Sequence, residues 1–206
     1  MNKPAAAITA AMLLASCVSC GNSGSSSKNE YTISGTWKIE DNSFNGGYVF
    51  DEGGQASIFI YPDNIYFSDN DLWFNDEKIP AKFVEYDGSQ MDVYYLNGTV
   101  LSLERCGSSD EENYNGEYVL EDCKVREYMV QGLGITDDDA ELRVNIEDDK
   151  FRFTVVDALD YSFNGSEIVL EGKNGIASSK GEAVLSGDKL TIKRQDGGER
   201  VLKKVK

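Results

Sequence analysis

The chain has 206 residues, of which 36 are acidic and 20 basic, and it contains no histidine. Its formal net charge of −16 repels the phosphates of nucleic acids and the anionic surface of lipid bilayers, so neither is an expected partner. Because histidine is the commonest general base and metal ligand, its absence leads us to expect no metal site and no cofactor.

The amino terminus has the pattern of an export signal. Lys3 precedes a small and mostly apolar run over residues 5–15, which is too short to span a bilayer. The run ends in Leu-Ala-Ser-Cys at residues 14–17, which resembles the lipobox of bacterial lipoproteins. The resemblance implies that residues 1–16 are a signal peptide, that Cys17 is lipidated, and that the protein is extracytoplasmic and anchored to the bacterial membrane by this lipid. The alternative is an ordinary signal peptide cut at a nearby small residue.

A polar segment follows the predicted lipidation site. Residues 21–30 contain no aliphatic or aromatic side chain and are rich in Ser, Gly and Asn. Such a segment buries too little apolar surface to offset its conformational entropy. We therefore predict a flexible tether over residues 17–30 and a globular region that starts at Tyr31.

Two pairs of similar segments divide the globular region into halves. The segment from Gly35 to Asp41 has the pattern Gly-x-aromatic-x-aliphatic-Glu-Asp, which returns between Gly116 and Asp122. The segments that end at Arg105 and Arg194 also resemble each other, as Leu-x-Gly-x-x-Leu-x-x-x-Arg. This repetition predicts two related domains, 31–107 and 116–206, joined by a polar linker over 108–115.

Short strands separated by turn residues are predicted through both halves. Trp37 and Ile39 alternate with polar neighbours, and Asp-Gly and Asn-Gly pairs mark hairpin turns. The pattern predicts an all-β class: two small antiparallel barrel or sandwich domains in tandem. One short helix is predicted in the second half, from the helical spacing of four apolar residues and two glycines that end it: Val125, Tyr128, Met129, Leu133, Gly132 and Gly134.

The opening strands resemble those of lipocalin-like domains, which are found in tandem in bacterial surface lipoproteins. Lipocalins begin with Gly-x-Trp and pack a late arginine over that tryptophan. The resemblance implies that Trp37 is paired with Arg105 and that Tyr118 is paired with Arg194. Each arginine shares a strand face with inward leucines, so an aromatic partner would stabilise it by a cation–π contact. The alternative is that both arginines lie at strand ends in water.

The sequence contains no evident catalytic machinery. Nucleophile, phosphate-binding and zinc-binding motifs are missing from the globular region. The acidic runs at 69–71, 137–139 and 147–149 lack the EF-hand pattern and occur where turns are expected. We therefore expect no catalytic or metal-binding residues and favour a binding or scaffold protein of the cell envelope. The alternative is an envelope enzyme that acts through a carboxylate pair, on glycans for example.

Aromatic residues are dense in the first half. Phe59, Tyr61, Tyr66 and Trp73 fall within a short stretch, and the strand over 58–61 is apolar on both faces. One face must line the core, and the other needs a cover. These four residues form the candidate binding face for a small ligand or an envelope protein; the alternative is that they pack in the core or against the second domain.

Two cysteines lie near the junction of the halves. Cys106 follows the last predicted strand of the first half, and Cys123 follows the first strand of the second. An exported protein can keep a disulfide, so a Cys106–Cys123 bond is possible. The alternative is two free thiols, because the directions of the strands are not known from sequence.

Overall fold

A computed structural model gives the structure of residues 32–40, 44–69, 71–94, 98–109, 113–136, 140–194 and 197–205. The predicted signal peptide, Cys17 and the tether over 17–30 lie outside these residues and remain predictions. The acidic run at 137–139 also lies outside them.

The described part of the chain is almost entirely strands with antiparallel pairing, which confirms the predicted all-β class. In chain order, the strands are β1 (Gly35–Ile39), β2 (Gly46–Phe50), β3 (Gln55–Ile60), β4 (Ile65–Ser68), β5 (Asp71–Phe74), β6 (Glu77–Lys78), β7 (Val84–Tyr86), β8 (Gln90–Tyr94), β9 (Thr99–Arg105), β10 (Gly116–Leu120), β11 (Leu142–Glu147), β12 (Lys150–Phe163), β13 (Glu167–Gly172), β14 (Ser179–Ser186), β15 (Lys189–Arg194) and β16 (Glu199–Lys204). A 3₁₀-helix spans Ala81–Phe83, and helix α1 spans Lys124–Leu133. Within the described ranges, no helical segment has the length and apolar character needed to cross a bilayer.

Eight of the strands close into an antiparallel barrel, as predicted. Their order is β12, β13, β14, β15, β16, β1, β2 and β3, and β3 pairs again with β12. The alternation of buried and exposed residues directs one face of each strand inward, as with Leu190 and Ile192 on β15. Trp37, Phe50 and Phe163 are each 1% exposed. Large side chains are thus buried in a barrel of the size that side chains alone can fill.

The chain forms two compact units that alternate along the sequence. Among the described residues, the first unit comprises those up to Ile58 and those within Leu133–Asp137 and Asp157–Lys206; the second comprises those within Phe59–Gly132 and Asp138–Val156. This division differs from the predicted domains 31–107 and 116–206. The reason is long-range pairing: β1 bonds to β16, so that Trp37 lies opposite Lys204. The first and last strands therefore belong to the same unit.

The second unit is built on an extended antiparallel sheet. Its strand order is β6, β5, β4, β12, β11, β10, β9, β8 and β7, with only the first part of β12 included. Phe67 on β4 stacks on Phe151 of β12, with ring centroids 5.3 Å apart. Leu101 and Leu103 on β9 are fully buried. One face of this sheet therefore contributes to an apolar core.

Helix α1 occupies the predicted position. Met129 is buried as expected, but Tyr128 is 54% exposed and does not belong to the buried face. The helix continues through Gly132 and stops before Gly134, whose φ of 69° is the left-handed conformation that commonly ends helices.

Strand β12 is continuous but has an irregular backbone at Asp157. This residue has a φ of 48°, which is rare for a non-glycine residue within a strand. Its backbone N–H donates to Ser57 Oγ at 3.1 Å instead of to a backbone carbonyl. The Ser57 hydroxyl thereby provides an acceptor for the Asp157 N–H, which the irregular backbone leaves outside the regular hydrogen bonding of the strand.

Candidate functional site

Two members of the predicted binding face, Tyr66 and Trp73, form a parallel aromatic pair. They are direct partners in the β4–β5 hairpin, with ring planes within 2° of parallel and centroids 6.2 Å apart. Ile65, Phe67 and Leu72 on the same hairpin are buried, whereas Tyr66 and Trp73 are partly exposed. Because side chains alternate across a strand, the pair lies on the face of the hairpin away from the core.

The indole N–H of Trp73 has no hydrogen-bond partner among the described residues. Its Nε1 is shielded from solvent and has no acceptor among the described residues. A buried N–H without an acceptor costs about 1–3 kcal/mol, so such groups are uncommon in native proteins. The polar end of this side chain is therefore energetically expensive where it lies.

Charged residues stand on both sides of the aromatic pair. Lys78 on β6 lies opposite Trp73, and its ammonium pairs with Asp71, which is two residues before Trp73 on the same face. On the other side, Lys150 on β12 lies opposite Tyr66. The two rings are thus bordered by a salt bridge on one side and by an exposed lysine on the other.

Arg152 lies two residues beyond Lys150, on the same face of β12, and its partner on β11 is Asn145. Arg152 is partly exposed, but its Nε is shielded and has no acceptor. Within the described residues, no carboxylate forms an ion pair with it. Arg143, a nearby arginine on β11, does have carboxylate partners. Arg143 bonds to Glu141 and to Glu117, the latter at 3.0 Å, and these carboxylates raise its pKa.

The other two members of the predicted binding face differ from this pair. Phe59 is only 1% exposed and meets Tyr61 edge-on, with centroids 5.6 Å apart. Phe59 is therefore a core residue, and its place on a binding face was wrong. Tyr61 is partly buried beside it.

Arg105 does have an aromatic partner, which is Tyr118. The two residues face each other on β9 and β10, and the guanidinium carbon is 5.1 Å from the Tyr118 ring centroid. Arg105 Nη2 donates to the hydroxyls of Tyr118 and Tyr86, each at 2.8 Å, and to the carbonyl of Asn113 at 2.6 Å. Tyr118 Oη in turn donates to the carbonyl of Tyr114 at 2.7 Å.

These contacts correct the predicted pairings of Trp37 with Arg105 and of Tyr118 with Arg194. The cation over Trp37 is Lys204, whose Nζ is 5.5 Å from the ring centroid, and the indole N–H donates to the Ile33 carbonyl. Pairing follows strand neighbours: β9 bonds to β10, and β16 bonds to β1. Arg194 lies on β15 opposite Gly181.

Burial sets the ionisation of the Arg105 cluster. Desolvation, together with the hydrogen bond to Tyr86, raises the pKa of the Tyr118 phenol far above its ordinary value. Desolvation by itself would lower the pKa of Arg105, but the phenol oxygens of Tyr118 and Tyr86 raise it overall. At neutral pH the cluster is therefore a cation held by neutral phenols, which suits a structural role.

Cys106 and Cys123 are free thiols, so the possible disulfide is not formed. The N–H of Cys106 bonds to the carbonyl of Glu117, while the N–H of Glu121 bonds to that of Ser102. The two cysteines therefore lie toward opposite ends of an antiparallel hairpin. Along the strand, Ser102 and Cys106 are already ~13 Å apart. This exceeds the ~7 Å between Cα atoms that a disulfide can span. Burial raises the pKa of both thiols, which disfavours the reactive thiolate.

A groove of about 380 Å³ lies in the first unit, among the ends of β13, β14 and β15. Two carboxylates line it, Glu167 and Glu182, which are partners on neighbouring strands. Glu182 is exposed, and Glu167 pairs with Lys180 at 3.0 Å. The charged side chains of the groove are thus arranged as surface ion pairs.

The described residues contain no group of three or more side chains suited to hold a metal ion.

The fold is that of an all-β protein with a closed eight-stranded antiparallel barrel and further strands. Comparisons with family profiles, with curated proteins and with solved structures found no match. The sequence placed Tyr66 and Trp73 on the candidate face, whereas Lys150 and Arg152, which the strand pairing places beside them, were not among the predicted residues. Lys150 and Arg152 alternate with Phe151 and Phe153 along the chain, and this alternation indicates that the two cations share one face of a strand. No sequence signal indicated that β12 pairs with β4.

Proposed function

We propose that the protein is a cell-envelope lipoprotein of lipocalin-like type, anchored through Cys17, that binds a saccharide on the face of Tyr66 and Trp73. The observation that carries the proposal is the exposed side of the β4–β5 hairpin. Two parallel aromatic rings lie there although the core on the opposite side is already filled by Phe67 and Leu72.

A saccharide fits the chemistry of this face. A pyranose ring has an apolar C–H surface and a rim of hydroxyl groups. Tyr66 and Trp73 offer apolar ring surface, while Asp71, Lys78 and Lys150 offer polar groups at neighbouring positions. Ligand sites commonly combine apolar walls with a few placed polar groups in this way. An envelope protein as the partner, in a scaffold role, is the alternative occupant of the same face.

The enzyme alternative is not supported by a specific observation. The groove with Glu167 and Glu182 has the carboxylates that such chemistry needs, but Glu167 is engaged by Lys180. Glycoside hydrolysis also needs one carboxyl group kept protonated, usually in an apolar pocket. An exposed Glu182 does not provide that environment.

The proposal predicts that Trp73 reports ligand binding. The chain has two tryptophans, and only Trp73 is exposed in part, because Trp37 is 1% exposed. Titration of the mature protein with the soluble glycan fraction of a bacterial envelope should therefore change the emission of Trp73. Trp73→Ala should weaken binding by about tenfold or more, measured by calorimetry.

Tyr128→Ala is the matched control, because Tyr128 is an exposed aromatic residue on helix α1 and should not affect glycan affinity. The proposal is overturned if the fraction leaves the emission unchanged, or if Trp73→Ala binds as well as the unaltered protein. Binding of an envelope protein, rather than glycan, that depends on Trp73 would support the scaffold alternative instead.

The anchor is tested separately. Metabolic labelling with a fatty acid should mark the mature protein, which should then partition into detergent. Cys17→Ala should lose both properties, and Cys20→Ala should keep them. Label retained in the Cys17→Ala protein would show that the lipid is elsewhere.

A further inference from the structure

We propose that the saccharide is acidic: a carboxylated pyranose whose ring lies on the aromatic pair and whose carboxylate is bound by Arg152. This inference rests on the proposed function and adds the charge class of the ligand. It depends on four residues of one sheet face, Trp73, Tyr66, Lys150 and Arg152.

The first step is position. Trp73 lies opposite Tyr66, and Tyr66 lies opposite Lys150, so the three form a row across β5, β4 and β12. Arg152 follows Lys150 by two residues and is diagonal to Tyr66. Neighbouring strands are ~4.8 Å apart, so a cation and a ring on adjacent strands can contact one sugar unit together.

The second step is the state of Arg152. A guanidinium is always charged in proteins and is normally paired when it is partly removed from water. Arg152 is partly removed from water, yet the described residues provide neither an acceptor for its Nε nor a carboxylate partner. Because Nε is shielded, the terminal nitrogens are the groups that can meet a ligand. Two parallel N–H donors match the geometry of a carboxylate.

The third step is selectivity against other anions. The net charge of −16 repels long polyanions such as nucleic acids. This repulsion is screened beyond ~10 Å at ordinary ionic strength, whereas contact with Arg152 acts at short range. A short acidic saccharide carries few charges beyond this range and meets little repulsion, so its carboxylate suits Lys150 and Arg152 and its ring suits Tyr66 and Trp73.

The test uses a short uronic acid chain, tetragalacturonate, and its methyl ester, in which a methyl group on each carboxyl removes the charge while the pyranose rings stay the same. The mature protein should bind the acid at least about tenfold more tightly than the ester, measured by calorimetry and Trp73 emission. Arg152→Gln should abolish this preference. Trp73→Ala should weaken both probes.

Arg143→Gln is the matched control, because it removes the same charge from the same face of neighbouring β11. Arg143 is already bound by Glu117 and Glu141, so the preference for the acid should remain. Equal binding of acid and ester, or equal effects of the two arginine variants, would overturn the carboxylate assignment while saccharide binding through Trp73 stands. If neither probe binds at millimolar concentration, this inference is overturned, and the glycan-fraction titration decides the proposed function on its own.

Discussion

A single guanidinium nitrogen joins three segments of the second unit. Arg105 Nη2 on β9 donates to Tyr86 on β7, to Tyr118 on β10 and to the carbonyl of Asn113, which precedes β10. Tyr114 continues the cluster, since its ring lies 4.8 Å from Tyr86 and 4.7 Å from Phe67. Nη2 of this cation is thus bound without a carboxylate, by phenol and carbonyl oxygens and an aromatic face, whereas its Nε has no acceptor among the described residues.

We expect Arg105→Ala to destabilise the protein by about 1–3 kcal/mol, because it removes the hydrogen bonds of Nη2 and the cation–π contact with Tyr118. Urea denaturation gives the free energy of unfolding. Arg143→Ala is the control, since its ion pairs are exposed and should contribute about 1 kcal/mol or less. Equal losses for the two variants would show that the Arg105 cluster adds no more than a surface ion pair.

At the scale of elements, local signals predicted the strands of the β4–β5 hairpin well. The β-branched and aromatic residues at 65–67 and 72–74 predict two short strands, which match Ile65–Ser68 and Asp71–Phe74 within one residue. The exposed face of the hairpin was harder to predict. The segment is apolar on both faces, so alternation alone does not tell which face lines the core. Packing of Phe67 against Phe151, far along the chain, decides it.

Strand partners were the part that the sequence could not supply. The repeated Gly-x-aromatic pattern correctly located β1 and β10, but it led us to pair Trp37 with Arg105. The actual neighbours follow from hydrogen bonding between strands that are distant in sequence, such as β1 with β16. The irregular backbone at Asp157 was also missed, because a left-handed aspartate within a strand has no compositional signal.

At the scale of the whole molecule, closure of the barrel depends on the last strand. β16 bonds to β1 on one side and to β15 on the other, so its residues link the two ends of the described chain. Leu202 is the central residue of this link. It lies opposite Ile39 on β1 and opposite Leu190 on β15, and it is fully buried.

Leu202→Ala should therefore destabilise the barrel by about 2–5 kcal/mol, through lost burial and the cavity left between Ile39 and Leu190. The unfolding transition measured in urea should shift accordingly. Val205 lies three residues later and is 49% exposed. Val205→Ala should therefore change the free energy of unfolding by no more than about 0.5 kcal/mol. A Leu202→Ala protein as stable as the Val205→Ala protein would mean that the last strand does not close the barrel in solution. The seam would then lie elsewhere, and the first unit would have to fold without pairing β1 to β16.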